Sequence, residues 1–147
     1  MLRFETGEEL METLAQFSQD HGLRAAAVMM GIGQLRTATL AYWNGQEYEA
    51  QEIRGPTELV SLAGSVAVAD GRPSVHLHAS LGLRNQATLS GHVIHASVGV
   101  LLEVRLDAFP AHGFSRPMDE GLGLRTLRLD PEAPDGRPPT GAATSPH

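Results

Sequence analysis

The 147-residue sequence contains no cysteine, so a disulfide framework, a thiolate nucleophile and a cysteine-based zinc site are excluded. Any metal ligands must therefore come from histidine, aspartate or glutamate. Aromatic residues make up only 5% of the chain, but 41% of its residues are hydrophobic, which is typical of a folded globular protein. Histidine, with seven copies, is the residue type on which a candidate site can be built.

Long apolar runs are also lacking, and the N-terminus becomes polar at once, so the sequence predicts neither a membrane span nor a signal peptide. We therefore expect a cytoplasmic protein with no membrane partner. Basic residues number 11 against 17 acidic ones, a formal net charge of −6. Because this charge opposes the phosphate backbone, DNA binding is an alternative that the composition disfavours.

The length fits one domain. Residues 1–130 are predicted to fold, whereas residues 131–147 are rich in Pro, Gly and Ser and are predicted to form a disordered tail. Within the domain, the spacing of Thr6 and Glu9 is that of a capping box, and an apolar stripe follows it. This pattern predicts one amphipathic helix over residues 7–21.

After the helix the sequence changes to short apolar or alternating runs broken by Gly, Pro, Asn and Asp, which predict strands. Asn44 and Gly45 lie between two such runs and favour a two-residue type I′ hairpin. The fold class is therefore α+β, mainly an antiparallel β-sheet with one N-terminal helix. The predicted strands cover residues 24–30, 37–43, 46–53, 58–68, 74–81, 86–95, 98–106 and 124–129.

Two of these strands, around residues 25–30 and 98–102, are nearly continuous apolar runs, as expected of strands buried on both faces. One helix, about 10–12 Å across, cannot cover six strands that span roughly 25 Å. We therefore expect another subunit to cover the sheet. The alternative is that the strands curl into a self-covering barrel.

A pair of histidines is the most informative local pattern. His76 and His78 alternate with Leu77 in a run that follows the turn residues 70–73 (DGRP). Because successive side chains of a strand point to opposite faces, the two imidazoles project from the same face. A single histidine is more often a surface residue or a core hydrogen-bonding residue than a ligand, so the pair favours a site only modestly.

A third histidine strengthens the pattern. A hairpin loop near residues 84–86 would return the next strand antiparallel, with Gly91 and His92 roughly opposite the first pair. Three neutral imidazoles and a water would form an open tetrahedral site, for which zinc is the favoured metal; a small-molecule ligand is the other candidate occupant. His95 lies three residues from His92, hence on the opposite face, and is not part of the predicted site.

Several motifs in a fixed order resemble the PPC ("plants and prokaryotes conserved") domain: residues 31–35 (GIGQL), 58–64 (ELVSLAG), 75–79 (VHLHA), 91–93 (GHV) and 103–104 (EV). The resemblance covers about residues 1–129. It implies an α/β sandwich-like subunit, usually a homotrimer, of a stand-alone prokaryotic type often described as DNA-binding. It also implies that the metal-binding residues are His76, His78 and His92.

The sequence departs from the family pattern at Ser65, where Asn is common, and at Ser90, where Gly is common, and neither change removes a ligand. An AT-hook, which enters the DNA minor groove in plant relatives, has the core Arg-Gly-Arg-Pro. The similar segments 70–73 and 135–138 both begin with Asp, whose carboxylate would repel phosphate. Neither segment is predicted to be an AT-hook.

Glu58 and Ser61 are predicted to support the histidine site, Glu58 by accepting a hydrogen bond from a ring N–H or by acting as a base. The alternative for Glu58 is an exposed residue at the start of a strand. Arg116, Asp119 and Glu120 resemble the family's late charged segment. We interpret them as a solvated loop in which an ion pair contributes little.

Three functional hypotheses follow. The favoured one is a trimeric, non-enzymatic module with a three-histidine site for a metal or a small ligand. The second is a DNA-binding or transcription-associated protein. The third is a metal-dependent hydrolase or lyase, with a water activated at the histidine site and Glu58 as its base.

Overall fold

The computed structural model describes residues 1–130, in which one helix packs against a mainly antiparallel β-sheet, so the predicted α+β class is confirmed. The predicted tail, residues 131–147, lies outside the described residues. No helix within residues 1–130 is long and apolar enough to cross a membrane. In chain order the elements are β1 Leu2–Glu5, α1 Leu10–Asp20, β2 Ala26–Trp43, β3 Tyr48–Ala69, β4 Arg72–Gly82, β5 Thr88–Ala108, β6 Gly113–Ser115, β7 Met118–Asp119, β8 Leu124–Arg125 and β9 Arg128–Asp130.

The helix begins three residues later than predicted, and the capping box is not formed. Glu9 is the N-cap, and its carboxylate accepts a hydrogen bond from the backbone N–H of Glu12 at 2.8 Å. Thr6 instead donates its hydroxyl to the carbonyl of Val100 on β5. Gly7, with a φ of 91°, separates β1 from the helix, because this backbone conformation is incompatible with a right-handed helix.

The predicted breaks between strands are mostly bulges rather than loops. β2, β3 and β5 are 18, 22 and 21 residues long, and the β2–β3 register shifts between Leu35 and Thr37 without ending the pairing. Gly33 lies within β2 with a φ of 138°. Glycines that punctuate the sequence therefore bend long strands here, as they do at bulges in other sheets.

The type I′ prediction was assigned to the wrong hairpin. Trp43 pairs with Tyr48, so Asn44 and Gly45 belong to a four-residue loop. The two-residue turn is Asp70-Gly71, between β3 and β4, where both residues have positive φ, as a type I′ turn requires. This turn fixes the register of β4, which carries two of the candidate histidines.

The four long strands close on themselves by pairing. β2 pairs with β3 and β5, and β4 pairs with the same two strands, so the hydrogen-bonded order returns to its start. α1 packs against β4 and β5. Large buried side chains from the helix and the strands form the core: Phe4, Leu10, Leu14, Leu35, Leu62, Leu77, Leu81, Val93, Val98, Leu102 and Val104.

Candidate metal centre

β4 separates an apolar face from a histidine face. Leu77 and Ala79 are buried in the core, whereas His76 and His78, at the alternating positions, project from the other face. The five-residue loop 83–87 returns the chain as β5, and His92 comes directly opposite His78 in the β4–β5 register. Alternation and hairpin register together bring the three histidines to one place.

The three imidazoles form a compact group. One ring nitrogen from each of His76, His78 and His92 lies within 4.8 Å of the corresponding atoms of the other two. The ring centroids are 4.9 to 5.4 Å apart, and no two rings stack face to face. Nitrogens bound to one zinc ion at ~2.1 Å each are about 3.4 Å apart, so side-chain shifts on the order of 1 Å suffice for shared coordination.

Buried polar atoms also point to a ligand. His76 Nε2 and His92 Nδ1 are buried and have no hydrogen-bond partner within the described part of the chain. A buried polar atom without a partner costs free energy, so such atoms at a converging histidine group suit a site completed from outside the chain. The residues present therefore fit a divalent metal ion of the zinc type.

The local electrostatics favour the neutral form of His76 and His92. Burial, followed by Arg116 and the other two histidines, lowers the pKa of His76 to about 4. Burial, His78 and Arg116 likewise lower the pKa of His92. At neutral pH both rings are uncharged, which is the form that binds a metal.

Arg116 is a part of the site that the sequence analysis missed. The prediction that it is solvated is wrong, because the residue is only 4% exposed. Its Nη1 donates to His76 Nδ1 at 3.0 Å. Its Nη2 donates to the hydroxyl of Ser65 at 2.6 Å, and Ser65 pairs with His76 across the β3–β4 ladder. Burial lowers the pKa of the Arg116 guanidinium from its usual value.

The backbone around Arg116 explains its placement. Its N–H donates to the carbonyl of Val68 at 2.9 Å, continuing the parallel pairing of β6 with the end of β3. Its carbonyl accepts from Nη1 of Arg125 at 2.9 Å, and Arg125 in turn forms an ion pair with Asp70. This anchoring is non-local, and no short sequence pattern marks it.

Asp119 and Glu120 were grouped with Arg116 in the sequence interpretation. Asp119 ends the short strand β7, and Glu120 begins the turn to β8. The Asp119 carboxylate accepts from the backbone N–H groups of Gly121 and Leu122, and Glu120 is exposed. An open depression of about 280 Å³ adjoins the histidines. Tyr48, a residue that the sequence analysis did not select, lines it and stacks on the ring of His92 at 5.0 Å.

Neither predicted supporting residue contacts the histidines. Glu58 pairs with Gly82, six residues along β4 from His76, which corresponds to about 20 Å. Its carboxylate accepts from Gln34 Nε2 at 3.3 Å instead. Ser61 pairs with Ser80 and is exposed, on the same strand face as the histidines but beyond the cluster.

His95 is separate from the cluster, but the predicted reason, strict strand alternation, is wrong. The β2–β5 register shifts between Thr39 and Leu40, and Val93 and Ala96 are both buried although they are three residues apart. Its side chain is largely exposed, and its Nδ1 lies 3.8 Å from the Glu9 carboxylate at the start of the helix. It is therefore a suitable control residue for experiments on the other three histidines.

Comparison with protein families identifies one match. The model of the Plants and Prokaryotes Conserved (PCC) domain matches residues 1–110, which include all three histidines. No curated protein matches the chain in sequence.

Solved structures give the same architecture. A plant- and prokaryote-conserved protein from Pyrococcus horikoshii is 32% identical, with a TM-score of 0.77, over 85% of this chain and 88% of that chain. A protein from Archaeoglobus fulgidus described as metal-containing is 29% identical, with a TM-score of 0.74, over 86% and 90%. A candidate DNA-binding protein from Ralstonia eutropha JMP134 has a TM-score of 0.81 over 88% and 90%, but at 23% identity it supports the fold alone.

Proposed function

Because the chain belongs to the Plants and Prokaryotes Conserved domain family, we propose that it is a homotrimeric, non-enzymatic module that binds a divalent metal ion, zinc first, through His76, His78 and His92. The observation that carries the proposal is the convergence of three ring nitrogens within 4.8 Å. Residues 1–130 constitute the domain, and a cytoplasmic location is part of the same proposal.

Ligand chemistry supports zinc. A set of three neutral imidazoles with no thiolate and no coordinated carboxylate suits zinc among the common metals and leaves a fourth position for water or a ligand. The related protein from Archaeoglobus fulgidus is described as metal-containing, which supports metal binding by a chain of this fold. Elemental analysis of the purified protein, followed by a zinc titration of the stripped chain, tests the proposal. Less than 0.1 zinc per chain after loading would reject it.

The trimer is supported by apolar side chains that residues 1–130 of the chain leave exposed. Met30, Ile32, Val60 and Val100 are 39 to 56% exposed, although they lie in the long strands at the centre of the sheet. Exposed apolar patches of this kind mark interfaces. Light scattering should give three times the chain mass, and a monomer at micromolar concentration would refute this part of the proposal.

DNA binding is the second candidate, because structural relatives are described as candidate DNA-binding proteins. The net charge of −6 counts against it. Titration of duplex DNA at low and moderate salt separates the two functions, since phosphate contacts must weaken steeply as salt rises.

A hydrolase or lyase has less support. It needs a base beside the metal-bound water, and the candidate from sequence, Glu58, lies about 20 Å along the strands from His76.

A further inference from the structure

Arg116 is a buried cation without a counter-ion among residues 1–130. Its side chain takes part in none of the ion pairs there, and its Nε is buried without a hydrogen-bond partner. The neighbouring cation, Arg125, is already paired with Asp70 at 2.5 Å. A buried charge is expensive unless it is paired, so one positive charge at this site lacks its partner.

The hydrogen bond from Arg116 to His76 conflicts with metal binding. A guanidinium can only donate, so His76 Nδ1 accepts, and the neutral ring then carries its proton on Nε2. If Nδ1 binds the metal, its lone pair leaves Arg116. If Nε2 binds the metal, the proton moves to Nδ1, which then faces a donor. In both cases metal binding breaks the contact between Arg116 and His76.

Breaking this contact leaves the guanidinium with two unpartnered groups, Nη1 and Nε, beside a dication. Arg116 and two of the histidines, His76 and His92, line the depression of about 280 Å³. The hydroxyl-bearing residues Ser74, Thr126 and Tyr48 line it as well. This volume is just below the usual range for ligand pockets, about 300–1,000 Å³, so it suits only a small ligand. The depression thus offers a small anion one unpaired cation, hydroxyl donors and the open side of a metal site.

We propose that the depression binds a small carboxylate, whose oxygens pair with the Arg116 guanidinium that the metal has released from His76. This rests on the proposed metal site. A carboxylate fits because its planar pair of oxygens matches the guanidinium fork. Metal and carboxylate then bind cooperatively. The carboxylate pairs with the guanidinium that metal binding leaves without a partner, and the metal frees that guanidinium from His76 for the carboxylate.

The test is a zinc titration of the stripped full-length chain against a competing chelator, in sodium acetate and in sodium perchlorate at equal ionic strength. Acetate should lower the Kd for zinc about tenfold, or ~1.4 kcal/mol. By linkage, zinc should lower the Kd for acetate by the same factor. Equal zinc affinities in the two salts would overturn the inference, and so would an effect produced by methylphosphonate but not by acetate.

Variants locate the effect. Arg116→Met should bind zinc about tenfold more tightly than the wild type in perchlorate and should show no response to acetate. Arg84→Met, which removes an exposed arginine from the loop between β4 and β5, should respond to acetate as the wild type does. An acetate response that persists in Arg116→Met would place the anion elsewhere.

If Arg116→Met does not fold, Arg116→Lys keeps the charge but not the fork, and should reduce the acetate response at least threefold. The wild-type comparison between the two salts stands independently of either variant. Absence of zinc binding in both salts would reject the proposed function itself, whereas zinc binding without an acetate effect rejects only the carboxylate site.

Discussion

Two regions of the same sheet differ in what they leave unsatisfied. At the histidine face, His76, His78 and His92 meet between paired strands, and the unsatisfied groups are buried polar atoms. Around Gly33, by contrast, the unsatisfied groups are exposed apolar side chains, including Ile32 and Val60. Buried polar atoms without partners favour binding of an ion or a small polar ligand, whereas exposed apolar surface favours binding of another protein. The proposed metal site and the proposed subunit interface therefore lie in separate parts of one subunit.

The largest expected effect concerns the histidine face. His78→Ala should weaken zinc binding at least 100-fold while leaving the fold intact, because two remaining imidazoles cannot preserve a three-ligand geometry. His95→Ala, which removes an exposed histidine outside the cluster, is the matched control and should bind zinc as the wild type does. Calorimetric or competitive zinc titration measures both. Equal losses in the two variants would contradict the assignment of the site.

The second expected effect concerns the proposed trimer, which a substitution in the exposed apolar surface around Gly33 should disrupt. Ile32→Glu places a carboxylate in the exposed apolar surface around Gly33, opposite Glu103 in the β2–β5 register, and should convert the trimer to monomers. Zinc affinity per chain should change less than threefold, since the histidines all belong to one subunit. Gln51→Glu, at an exposed position on β3, is the control. Light scattering of Ile32→Glu that still shows a trimer would move the interface elsewhere.

A glycine beneath the histidine face gives the next effect. A Cβ on Gly64 would overlap the carbonyl oxygen of His76, so the backbones of β3 and β4 would have to separate. Gly64→Ala should lower the free energy of unfolding by about 3 kcal/mol. Gly121→Ala is the control, because its Cβ would make only ordinary contact with Asp119, and it should change stability by less than about 0.5 kcal/mol. Denaturant unfolding decides between them.

The sequence predicted the contacts between residues that are close along the chain, and it did not predict the contacts between distant ones. His76, His78 and His92 could be grouped because one alternating run and one short hairpin connect them, so periodicity and loop length suffice. Arg116 reaches the same site through β6, 40 residues after His76, and depends on pairing with the end of β3. A charged residue after a loop resembles a solvated one until that pairing is known.

The predicted strand boundaries were wrong for a related reason. Glycine is typical of turns, and Gly33 and Gly55 do have positive φ. The residues before and after each of them are nevertheless paired with neighbouring strands, so β2 continues through Gly33 and β3 continues through Gly55. Glu58 was predicted to accept a hydrogen bond from a histidine ring or to act as a base, yet the β3–β4 register sets it opposite Gly82, far from the histidines. The Asp70-Gly71 turn fixes this β3–β4 register.

The smallest effect is a dependence of stability on pH at the histidine face. In the folded chain burial, Arg116 and the neighbouring histidines hold the pKa of His76 near 4, whereas an unfolded histidine titrates near 6.5. Between these values the unfolded chain binds a proton that the folded chain does not, so stability falls as the pH decreases from 6.5 to 4. The lowered pKa of His92 acts in the same direction.

A shift of about 2.5 pKa units corresponds to about 3 kcal/mol, but His76 is only half-buried, and solvent screening reduces the expected loss to about 1–2 kcal/mol. Denaturant unfolding of the zinc-free protein at pH 7 and pH 4, at one protein concentration, measures the loss. His76→Gln replaces the imidazole with an amide oxygen that can still accept from Arg116 but does not titrate, so its loss should be smaller by that amount. Equal losses in His76→Gln and the wild type would show that His76 is not held neutral by its surroundings. The exposed region around Gly33 contains no histidine of this kind. In the monomeric Ile32→Glu background, His76→Gln should therefore still reduce the loss of stability between pH 7 and pH 4 by the same amount.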